Sequence, residues 1–490
     1  MKKETIMERR TFLHLSTIAA VTLLSGCGGG SSNMGSASGK GERNNGNDTD
    51  SFNALSAPLP IPALLRPVER NGIKQYDLTL KNAQHTFFSG ISTDTYAING
   101  TYLSPTLLLQ RGDTVSVNYT NLLGETVTMH GHGMHVPPDM DGTAHQPILP
   151  GKSWSARYTV DQPACTNWYH PHTMGRTAEH VYKGLAGLMI IEDENSRSLG
   201  LPSRYGIDDI PLVLQDREFR NGQISYDPSM RQVMHGYVGE TFIVNGAIEP
   251  VFDAEAKELR LRILNGSNST IYELGFSDGR TFRQIASDNA FLDSPVPLSR
   301  LTLSPAERAE IIVDLSHDFG GSITLEEYRH NKRFMTINVT KQPLADTTLP
   351  DRLTRLEHHS ADEVARTRRF TLSGMMGSFR INGKSMDLDR IDEVVPLGEV
   401  ERWEIVNDMM VDHNFHIHAT YFTIIERNGD PDAVPPNERG YKDVVFVPAR
   451  ERVTFLVKMT DHSNPDIPYM YHCHFLEHED AGMMGQFTVV

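Results

Sequence analysis

Apolar and polar residues alternate one by one along much of the chain, and Gly, Pro and Asn separate the alternating stretches. Clear cases are TVSVNYTN at 114–121, LRLRILN at 259–265 and VERWEIVN at 400–407. A period of two residues predicts β-strands that bury one face. Stretches with the 3.6-residue period of a long helix are scarce, so the pattern predicts an all-β protein.

One plan recurs three times, starting at Tyr96, Phe242 and Phe379. In each copy an aromatic residue precedes Asn-Gly, and an apolar stretch and an acidic or polar turn then lead into an alternating strand. Internal repeats of this kind predict tandem modules, here β-sandwiches. The expected modules span 57–200, 206–344 and 366–490, and the linker at 345–365 has room for a short helix.

The composition limits the class of protein. A chain of 490 residues is too long for one compact domain. The formal net charge of -16 argues against a nucleic-acid partner, because a phosphate backbone requires clustered Lys and Arg. No stretch beyond the N-terminal region is apolar for long enough to span a bilayer.

The N-terminal segment 1–27 has the layout of an export signal, with a basic start, an apolar run and small residues before Cys27. Arg9 and Arg10 resemble a twin-arginine signal. The LSGC that ends at Cys27 resembles the lipobox of bacterial lipoproteins, in which the cysteine is lipidated; the alternative is an ordinary signal peptide with a chance cysteine. Residues 28–56 are rich in Gly, Ser and Asn and predict a disordered tether. We therefore expect twin-arginine export and a periplasmic or cell-envelope lipoprotein with an N-terminal membrane anchor.

Export leaves two cysteines, Cys165 and Cys473, in the mature chain. They could pair in an oxidising compartment. However, His472 and His474 flank Cys473, which favours a metal ligand there. Cys165 has no such surroundings and is interpreted as a small buried thiol.

Ten histidines form four clusters in the first and third modules. They are His130 and His132, His170 and His172, His413, His416 and His418, and His472, His474 and His478. Residues two apart on a strand share a face. In HCH, His472 and His474 therefore lie on one face and Cys473 lies on the other, so one tripeptide can contact two metal sites.

The residues around Cys473 suit a blue-copper electron-transfer centre. Such a centre needs a thiolate, two imidazoles and a weak axial ligand, which His413, His478 and Met483 can supply. A zinc site is the alternative, but it does not explain one Cys beside a Met or so many further histidines. The other eight histidines are too many for one ion and suit a three-ion cluster where the first and third modules meet.

These clusters resemble the signature of three-domain multicopper oxidases, in particular the bacterial cuprous oxidases. The resemblance extends from about residue 60 to Val490, and NWYHPHTMGRTAEHVYKGLAGLMIIED and HCHFLEHEDAGMMGQFTV carry it most clearly. It implies three tandem cupredoxin-like Greek-key domains and four copper ions. It implies a type 1 copper on His413, Cys473, His478 and Met483, a type 2 copper on His130 and His416, one type 3 copper on His132, His170 and His474, and its partner on His172, His418 and His472.

The resemblance also assigns roles to residues beside the ligands. It implies that Asp141 and Glu479 guide protons to the cluster, whereas the alternative for each is an acid in a solvated turn. Two residues depart from the family pattern. Asn414 stands where Pro is usual, and Ala419 stands where Gly is usual. Neither change removes a ligand.

The reaction implied by the resemblance takes single electrons from a reducing substrate at the type 1 copper. The electrons pass through Cys473 to His472 and His474, and four of them reduce O2 to two waters. We expect the substrate to be Cu(I), in copper defence. Asp408 and Met410 resemble the acid and thioether that receive Cu(I) in cuprous oxidases, and thioether is a soft ligand.

Three other functions stay open: a laccase-like oxidase of phenols or aromatic amines, a copper-storage lipoprotein without turnover, and a copper-free relative such as the division-associated proteins of this fold. The complete ligand set argues against the last. The long Met-rich insertion of some cuprous oxidases is absent. His358 and His359 in the linker are interpreted as packing or solvent-exposed residues, and so are Met375 and Met376. We expect a monomer without a protein partner.

Overall fold

Strands form most of the secondary structure in the computed structural model, which describes residues 57–343, 348–375 and 377–490. The export signal, the tether, Cys27 and Met376 lie outside these residues. The strands fall into three groups along the chain, and each group forms two main sheets around a shared core. The prediction of an all-β protein is therefore confirmed. Within the described part of the chain, no helix is long and apolar enough to cross a membrane.

The first module contains ten strands and two short helices. They are β1 (Leu64–Leu65), β2 (Val68–Arg70), β3 (Ile73–His85), β4 (Thr93–Ile98), β5 (Thr106–Gln110), β6 (Thr114–Asn121), β7 (His130–His132), β8 (Ser153–Thr159), β9 (Cys165–His170), α1 (Thr177–Tyr182), β10 (Gly187–Glu192) and α2 (Glu194–Ser198). One sheet has the order β2-β3-β6-β8, with β4 on β3, and the other has the order β1-β5-β10-β9-β7. On β6, Val115, Val117 and Tyr119 are buried, as the period of two predicts.

The second module has fourteen strands and one helix. They are β11 (Asp209–Arg217), β12 (Phe219–Arg220), β13 (Gln223–Ile224), α3 (Met230–His235), β14 (Thr241–Val244), β15 (Ala247–Ile248), β16 (Val251–Glu255), β17 (Glu258–Asn265), β18 (Tyr272–Phe276), β19 (Phe282–Ala286), β20 (Phe291–Leu298), β21 (Leu301–Leu303), β22 (Arg308–Asp314), β23 (Ser322–Glu327) and β24 (Lys332–Lys341). The larger sheet has the order β15-β14-β11-β17-β22-β19-β20, the other main sheet has the order β16-β24-β23-β18-β21, and β12 pairs with β13.

The third module has ten strands and one helix. They are β25 (Val364–Met375), β26 (Ser378–Ile381), β27 (Glu393–Val395), β28 (Val400–Asn407), β29 (His413–Ile417), β30 (Phe422–Arg427), β31 (Val444–Val447), β32 (Arg452–Lys458), β33 (Asn464–His472), α4 (Leu476–Asp480) and β34 (Met484–Val489). The sheets have the orders β26-β25-β28-β32-β30 and β27-β34-β33-β29-β31. The second of these sheets contains β29 and β33, which carry the histidine clusters.

Short 3-10 turns and crossing segments complete the fold. The 3-10 turns are Pro138–Met140, Ala361–Glu363, Pro431–Ala433 and Pro436–Glu438. Strand β25 begins at Val364, within the segment expected to be linker. Near the start of the described residues, the N–H of Leu59 donates to the carbonyl of Val251, and the side chain of Leu59 packs in the core of the second module. The first described residues therefore bind to the second module before the chain enters the first.

Candidate metal centres

Two strand pairs bring the histidine clusters together. On β7 and β9, His130 is paired with His170, and on β29 and β33, His416 is paired with His472. Both histidines of HGH lie on β7 and share a face, whereas β9, β29 and β33 end at His170, Ile417 and His472, so His172, His418 and His474 lie just beyond the strand ends. The eight histidines assigned to the three-ion cluster are all buried, with exposures of 1% or less. They meet between the first and third modules, as expected from the sequence.

Two groups of three imidazoles meet through their ring nitrogens. Nε2 of His170 lies 3.4 Å from Nδ1 of His132 and 3.4 Å from Nε2 of His474. In the second group, Nε2 of His472 lies 3.1 Å from Nε2 of His172 and 3.1 Å from Nε2 of His418. The structure thus brings together the same residues as the two expected type 3 sets.

His130 and His416, the expected type 2 pair, share a distinct arrangement. Nδ1 of His130 donates to the carbonyl of Asp141 at 2.7 Å, and Nδ1 of His416 donates to the carbonyl of Asp443 at 2.9 Å. Nε2 of each ring is buried without a hydrogen-bond partner among the described residues. A buried nitrogen without a partner costs about 1–3 kcal/mol. A metal ion facing both nitrogens would remove that cost.

Burial keeps five imidazoles of the cluster ready to bind a cation. It lowers the pKa of His132, His170, His416, His418 and His474 well below the usual value. The rings are therefore neutral at pH 7 and keep a free lone pair, the form that binds metals.

Three buried carboxylates surround the cluster, and each contacts two of its imidazoles. Oδ2 of Asp141 lies 2.7 Å from Nδ1 of His418, and Oδ1 lies 3.3 Å from Nδ1 of His130. Glu479 lies 3.2 Å from Nδ1 of His472 and 3.7 Å from Nδ1 of His172.

Burial favours the neutral form of both acids, but the neighbouring imidazoles outweigh it. His418 and His130 hold the pKa of Asp141 well below its usual range, and His472 and His172 do the same for Glu479. Both side chains are fully buried, so neither is the acid of a solvated turn.

The third carboxylate, Asp443, is a residue that the sequence analysis missed. Its Oδ1 accepts from Nε2 of His132 at 3.0 Å, and its carbonyl accepts from His416. It follows Lys442 in a segment without a recognisable motif, and the sequence offered no signal for it.

A separate group forms around Cys473, the residue that directly follows β33. Its Sγ lies 3.5 Å from Nδ1 of His413 and 3.7 Å from Nδ1 of His478, and the two Nδ1 atoms are 3.0 Å apart. All three residues are buried. Burial raises the pKa of the Cys473 thiol to about 12, so at neutral pH a bound cation is needed to stabilise the thiolate.

Backbone and aromatic contacts fix this group. The carbonyl of Met483 accepts from the N–H of Cys473 at 3.1 Å, and the N–H of Met483 donates to the carbonyl of His478 at 3.0 Å. The Met483 side chain is buried in the same core. Phe379 and Phe475 stack on the His478 ring, with centroids 4.1 Å and 5.3 Å away.

The two departures from the family pattern have structural consequences. Asn414 is fully buried, and its Oδ1 accepts from the N–H of His474 at 2.6 Å. Its Nδ2 donates to the carbonyl of Pro305 at 2.8 Å in the second module. Ala419 adopts a φ of 58°, a left-handed conformation that costs a residue with a Cβ about 1–2 kcal/mol.

Asp408 and Met410, the residues expected to receive substrate, have different surroundings. Met410 is 76% exposed, and its Sδ accepts from Nε of Arg450 at 3.2 Å. Asp408 forms no side-chain hydrogen bond with His413 among the described residues. Instead, Sδ of Met409 lies 3.1 Å from Nε2 of His413. Asp408 is exposed at the start of this loop.

A cavity of about 270 Å³ opens beside the Cys473 group, between the second and third modules. Its walls include His235, His330, Met410, Asp412 and Phe475. In the loop before His413, the carboxylate that lines this cavity is therefore that of Asp412 and not that of Asp408. Helix α3, whose last residue is His235, borders the cavity.

Helix α3, which belongs to the second module, also packs over the Cys473 group. Val233 and Met234 pack against the core that contains Cys473, and their carbonyls counteract the burial that lowers the pKa of His478 to about 3. His478 itself is 1% exposed. The sequence analysis did not associate this helix with the site, because α3 belongs to the module without a histidine cluster.

Other predicted residues lie apart from both groups. Cys165 is buried and forms no disulfide with Cys473, and burial raises the pKa of Cys165 well above its usual value. His358 lies 3.7 Å from Asp293, and His359 lies 3.0 Å from Glu363, both at the surface.

Comparisons with known proteins agree with this geometry. Two family profiles, both described as multicopper oxidase, match this chain, one at residues 79–196 and the other at residues 349–490. Multicopper oxidase mco of Staphylococcus aureus is 35% identical over 438 residues, which cover 88% of this chain and 92% of that protein.

The chain belongs to the multicopper oxidase family.

Two further relatives extend the comparison. Cell division protein FtsP of Xenorhabdus nematophila is 37% identical over 449 residues, covering 88% of this chain and 92% of that protein. The crystal structure of a laccase from Pediococcus acidilactici superposes with a TM-score of 0.84 at 36% identity, covering 90% of this chain and 95% of the laccase. The predicted three-domain cupredoxin-like fold is confirmed, and the chain is an oxidoreductase of a family whose cofactor is copper.

Proposed function

We propose that this multicopper oxidase binds four copper ions and couples the oxidation of Cu(I) to the reduction of O2 to water, in copper tolerance. When bound, copper supplies one-electron transfer at the Cys473 group and the four-electron reduction of O2 at the histidine cluster. The observation that carries the choice of substrate is the cavity beside the Cys473 group, which contains a thioether, a carboxylate and two imidazoles.

Contacts between ring nitrogens support the two type 3 sets, the unpartnered Nε2 atoms support the type 2 pair, and the contacts of Cys473 support the type 1 set, in whose core Met483 is buried. They are His413, Cys473, His478 and Met483 for type 1 copper, His130 and His416 for type 2 copper, His132, His170 and His474 for one type 3 copper, and His172, His418 and His472 for the other. Thiolate and imidazole ligands suit copper. The backbone of Cys473 continues directly into His472 and His474, so one tripeptide joins the two centres.

Asp141 and Glu479 are the proposed proton carriers. Reducing O2 to two waters consumes four protons as well as four electrons, and these must reach a buried site. Each carboxylate contacts one histidine of the first module and one of the third, at 2.7–3.7 Å. Each can accept a proton at an oxygen that lies beside the cluster.

The cavity favours a small cation over a bulky aromatic reductant. Met410 offers a soft sulfur, which suits Cu(I), and Asp412 adds a negative charge, although it also pairs with Arg329 at 3.2 Å. Asp408 is proposed to attract the cation at the exposed start of the loop. Because α3 covers His478, a large phenol cannot reach the ring edge directly.

A laccase-like activity is the second candidate. The Pediococcus laccase is similar over nearly its whole length, and Phe475 presents an aromatic wall to the cavity. A non-catalytic role, in copper binding or as in the FtsP relatives, is the third. It would leave the complete ligand set without a use.

The proposed location is the cell envelope. A twin-arginine signal and lipidation at Cys27 would place the folded modules outside the cytoplasm on a tether. The protein is proposed to act as a monomer, with O2 and Cu(I) as its small-molecule partners and the membrane reached only through the lipid anchor.

Copper analysis and oxygen uptake test the proposal. The purified protein should bind about four coppers, as the ligand sets imply, and show the blue thiolate-to-copper band. Oxygen uptake should be faster with Cu(I) than with a phenol. A colourless protein that stays zinc-loaded after copper incubation would rule out the metal assignment, and no oxygen uptake with either substrate would indicate a non-catalytic role.

Variants at the cavity test the substrate. Met410→Leu keeps the volume and removes the sulfur, and Asp408→Ala and Asp412→Asn remove the charges. Cu(I) oxidation should fall several-fold while phenol oxidation changes little. Met375→Leu is the matched control, since Met375 is 72% exposed but is not part of the cavity wall. Equal losses on both substrates would indicate damage to the Cys473 group.

A further inference from the structure

A buried ionic network joins the three modules next to the histidine cluster. Arg308 on β22 and Asp443 before β31 are both fully buried. Nη1 of Arg308 donates to Oδ1 of Asp443 at 2.7 Å, and Nη2 donates to Oδ2 at 2.6 Å. This is a two-bonded Arg–carboxylate pair, which fixes both planes relative to each other.

Arg308 is anchored in the first and second modules as well. Its Nε donates to the carbonyl of Thr166 at 3.0 Å, and Nη2 donates to Oδ1 of Asn167 at 2.9 Å, both on β9. Its own N–H donates to Asp288 at 2.8 Å. One side chain of the second module therefore ties a strand of the first module to a carboxylate of the third.

Asp443 passes this constraint to two cluster histidines. Its Oδ1 accepts both from Arg308 and from Nε2 of His132, at 3.0 Å, and its carbonyl accepts from Nδ1 of His416. Since Nε2 of His132 carries the proton, the free lone pair is on Nδ1, which faces His170 at 3.4 Å. The other five type 3 histidines contact one another through Nε2 instead; they are His170, His172, His418, His472 and His474.

We propose that Arg308 and Asp443 are a positioning pair that sets the tautomer of His132 and the orientation of His416. The second module, which holds no copper ligand in the proposed sets, thereby becomes necessary for copper binding at the histidine cluster. The Cys473 group needs no contact with this pair. The proposal rests on the proposed ligand sets.

Asp443→Asn and Arg308→Gln test the pair, with Arg308→Lys as the conservative variant. An Asn amide can turn its NH2 toward His132, which then presents the wrong nitrogen. We expect Asp443→Asn and Arg308→Gln to lose about one or two of the four coppers, because a misoriented His132 weakens its type 3 set. The blue absorbance per chain should stay close to that of the wild type, because the type 1 ligands are untouched. Arg308→Lys keeps a charge beside Asp443 and should recover part of the lost copper.

Arg260→Lys is the matched control. Arg260 is equally buried in the same sheet and pairs with Glu310, but it contacts no histidine of the cluster. It should keep all copper. The pair is refuted if Asp443→Asn and Arg308→Gln bind as much copper as the wild type.

The positioning role is also refuted if the blue absorbance falls in step with the bound copper in every variant, or if Arg260→Lys loses the same copper, since either result indicates general destabilisation. Thermal melting of the copper-free variants separates the two effects if Asp443→Asn folds poorly. A wild-type protein without a type 2 signal in electron paramagnetic resonance would instead refute the proposed ligand sets.

Discussion

Replacing Asn414 by Ala should destabilise the protein measurably, because this side chain links the two centres to the second module. Its Oδ1 accepts from the N–H of His474 at 2.6 Å. Its Nδ2 donates to the carbonyl of Pro305 at 2.8 Å and to Oγ of Ser304 at 3.1 Å. Asn414, His474 and Ser304 are all buried, so water cannot easily replace these bonds.

The magnitude follows from the groups left without a partner. Asn414→Ala leaves one backbone N–H and one backbone carbonyl without a hydrogen-bond partner, and each such buried group costs about 1–3 kcal/mol. The expected loss is therefore about 2–6 kcal/mol, a large part of the ~5–15 kcal/mol that stabilises a typical domain. The Ser304 hydroxyl adds less, since it can turn toward other acceptors.

Denaturant unfolding of the copper-free protein measures the loss as a shift of the midpoint at constant slope. Ser304→Ala is the control. It removes one bond to Asn414 and leaves those to His474 and Pro305, so it should cost about 1 kcal/mol or less. An Asn414→Ala loss that is below about 1 kcal/mol, or equal to that of Ser304→Ala, would show that these bonds do not stabilise the joint.

Three further predictions use other parts of the chain. Cys473→Ser should abolish the blue band and oxidase activity but leave copper bound at the histidine cluster, as metal analysis would show; retained turnover would mean that electrons enter elsewhere. Burial lowers the pKa of His180 to about 4, so between pH 6.5 and 4 only the unfolded state gains its proton. The proton on His180 should lower the free energy of unfolding of the wild type by up to about 3 kcal/mol over that range, and His180→Gln should lack this contribution. The same dependence of unfolding free energy on pH in both copper-free proteins would contradict this. Mass spectrometry should find a lipidated N-terminal Cys27, and an unmodified cysteine would exclude the anchor.

The histidine cluster was predictable because strand geometry is visible in the sequence. HGH lies on β7, where residues two apart share a face, and strand pairing brings such faces together. β33 ends at His472, so Cys473 and His474 lie just beyond the strand, and the period of two alone does not fix their positions. When β7 pairs with β9, His130 meets His170, and when β29 pairs with β33, His416 meets His472.

Residues outside a repeated pattern could not be predicted in this way. In DMMVDH, the sequence alone does not show which of five residues before His413 faces the ring or the cavity. The structure places the Met409 sulfur against the His413 ring and Asp412 in the cavity wall. A loop has no fixed period, so local packing decides these orientations.

The second module presents the limit of sequence reasoning most clearly. Without histidine clusters it looks like a spacer, yet Arg308 bonds to Asp443, the carbonyl of Pro305 bonds to Asn414, and α3 covers His478. Each contact joins residues far apart in the chain, and none leaves a motif. A spacer would tolerate substitution at these buried positions, whereas a scaffold for both centres would not. The contacts of Arg308 and Asn414 favour the scaffold, because each of these side chains bonds across a module boundary next to a proposed copper ligand.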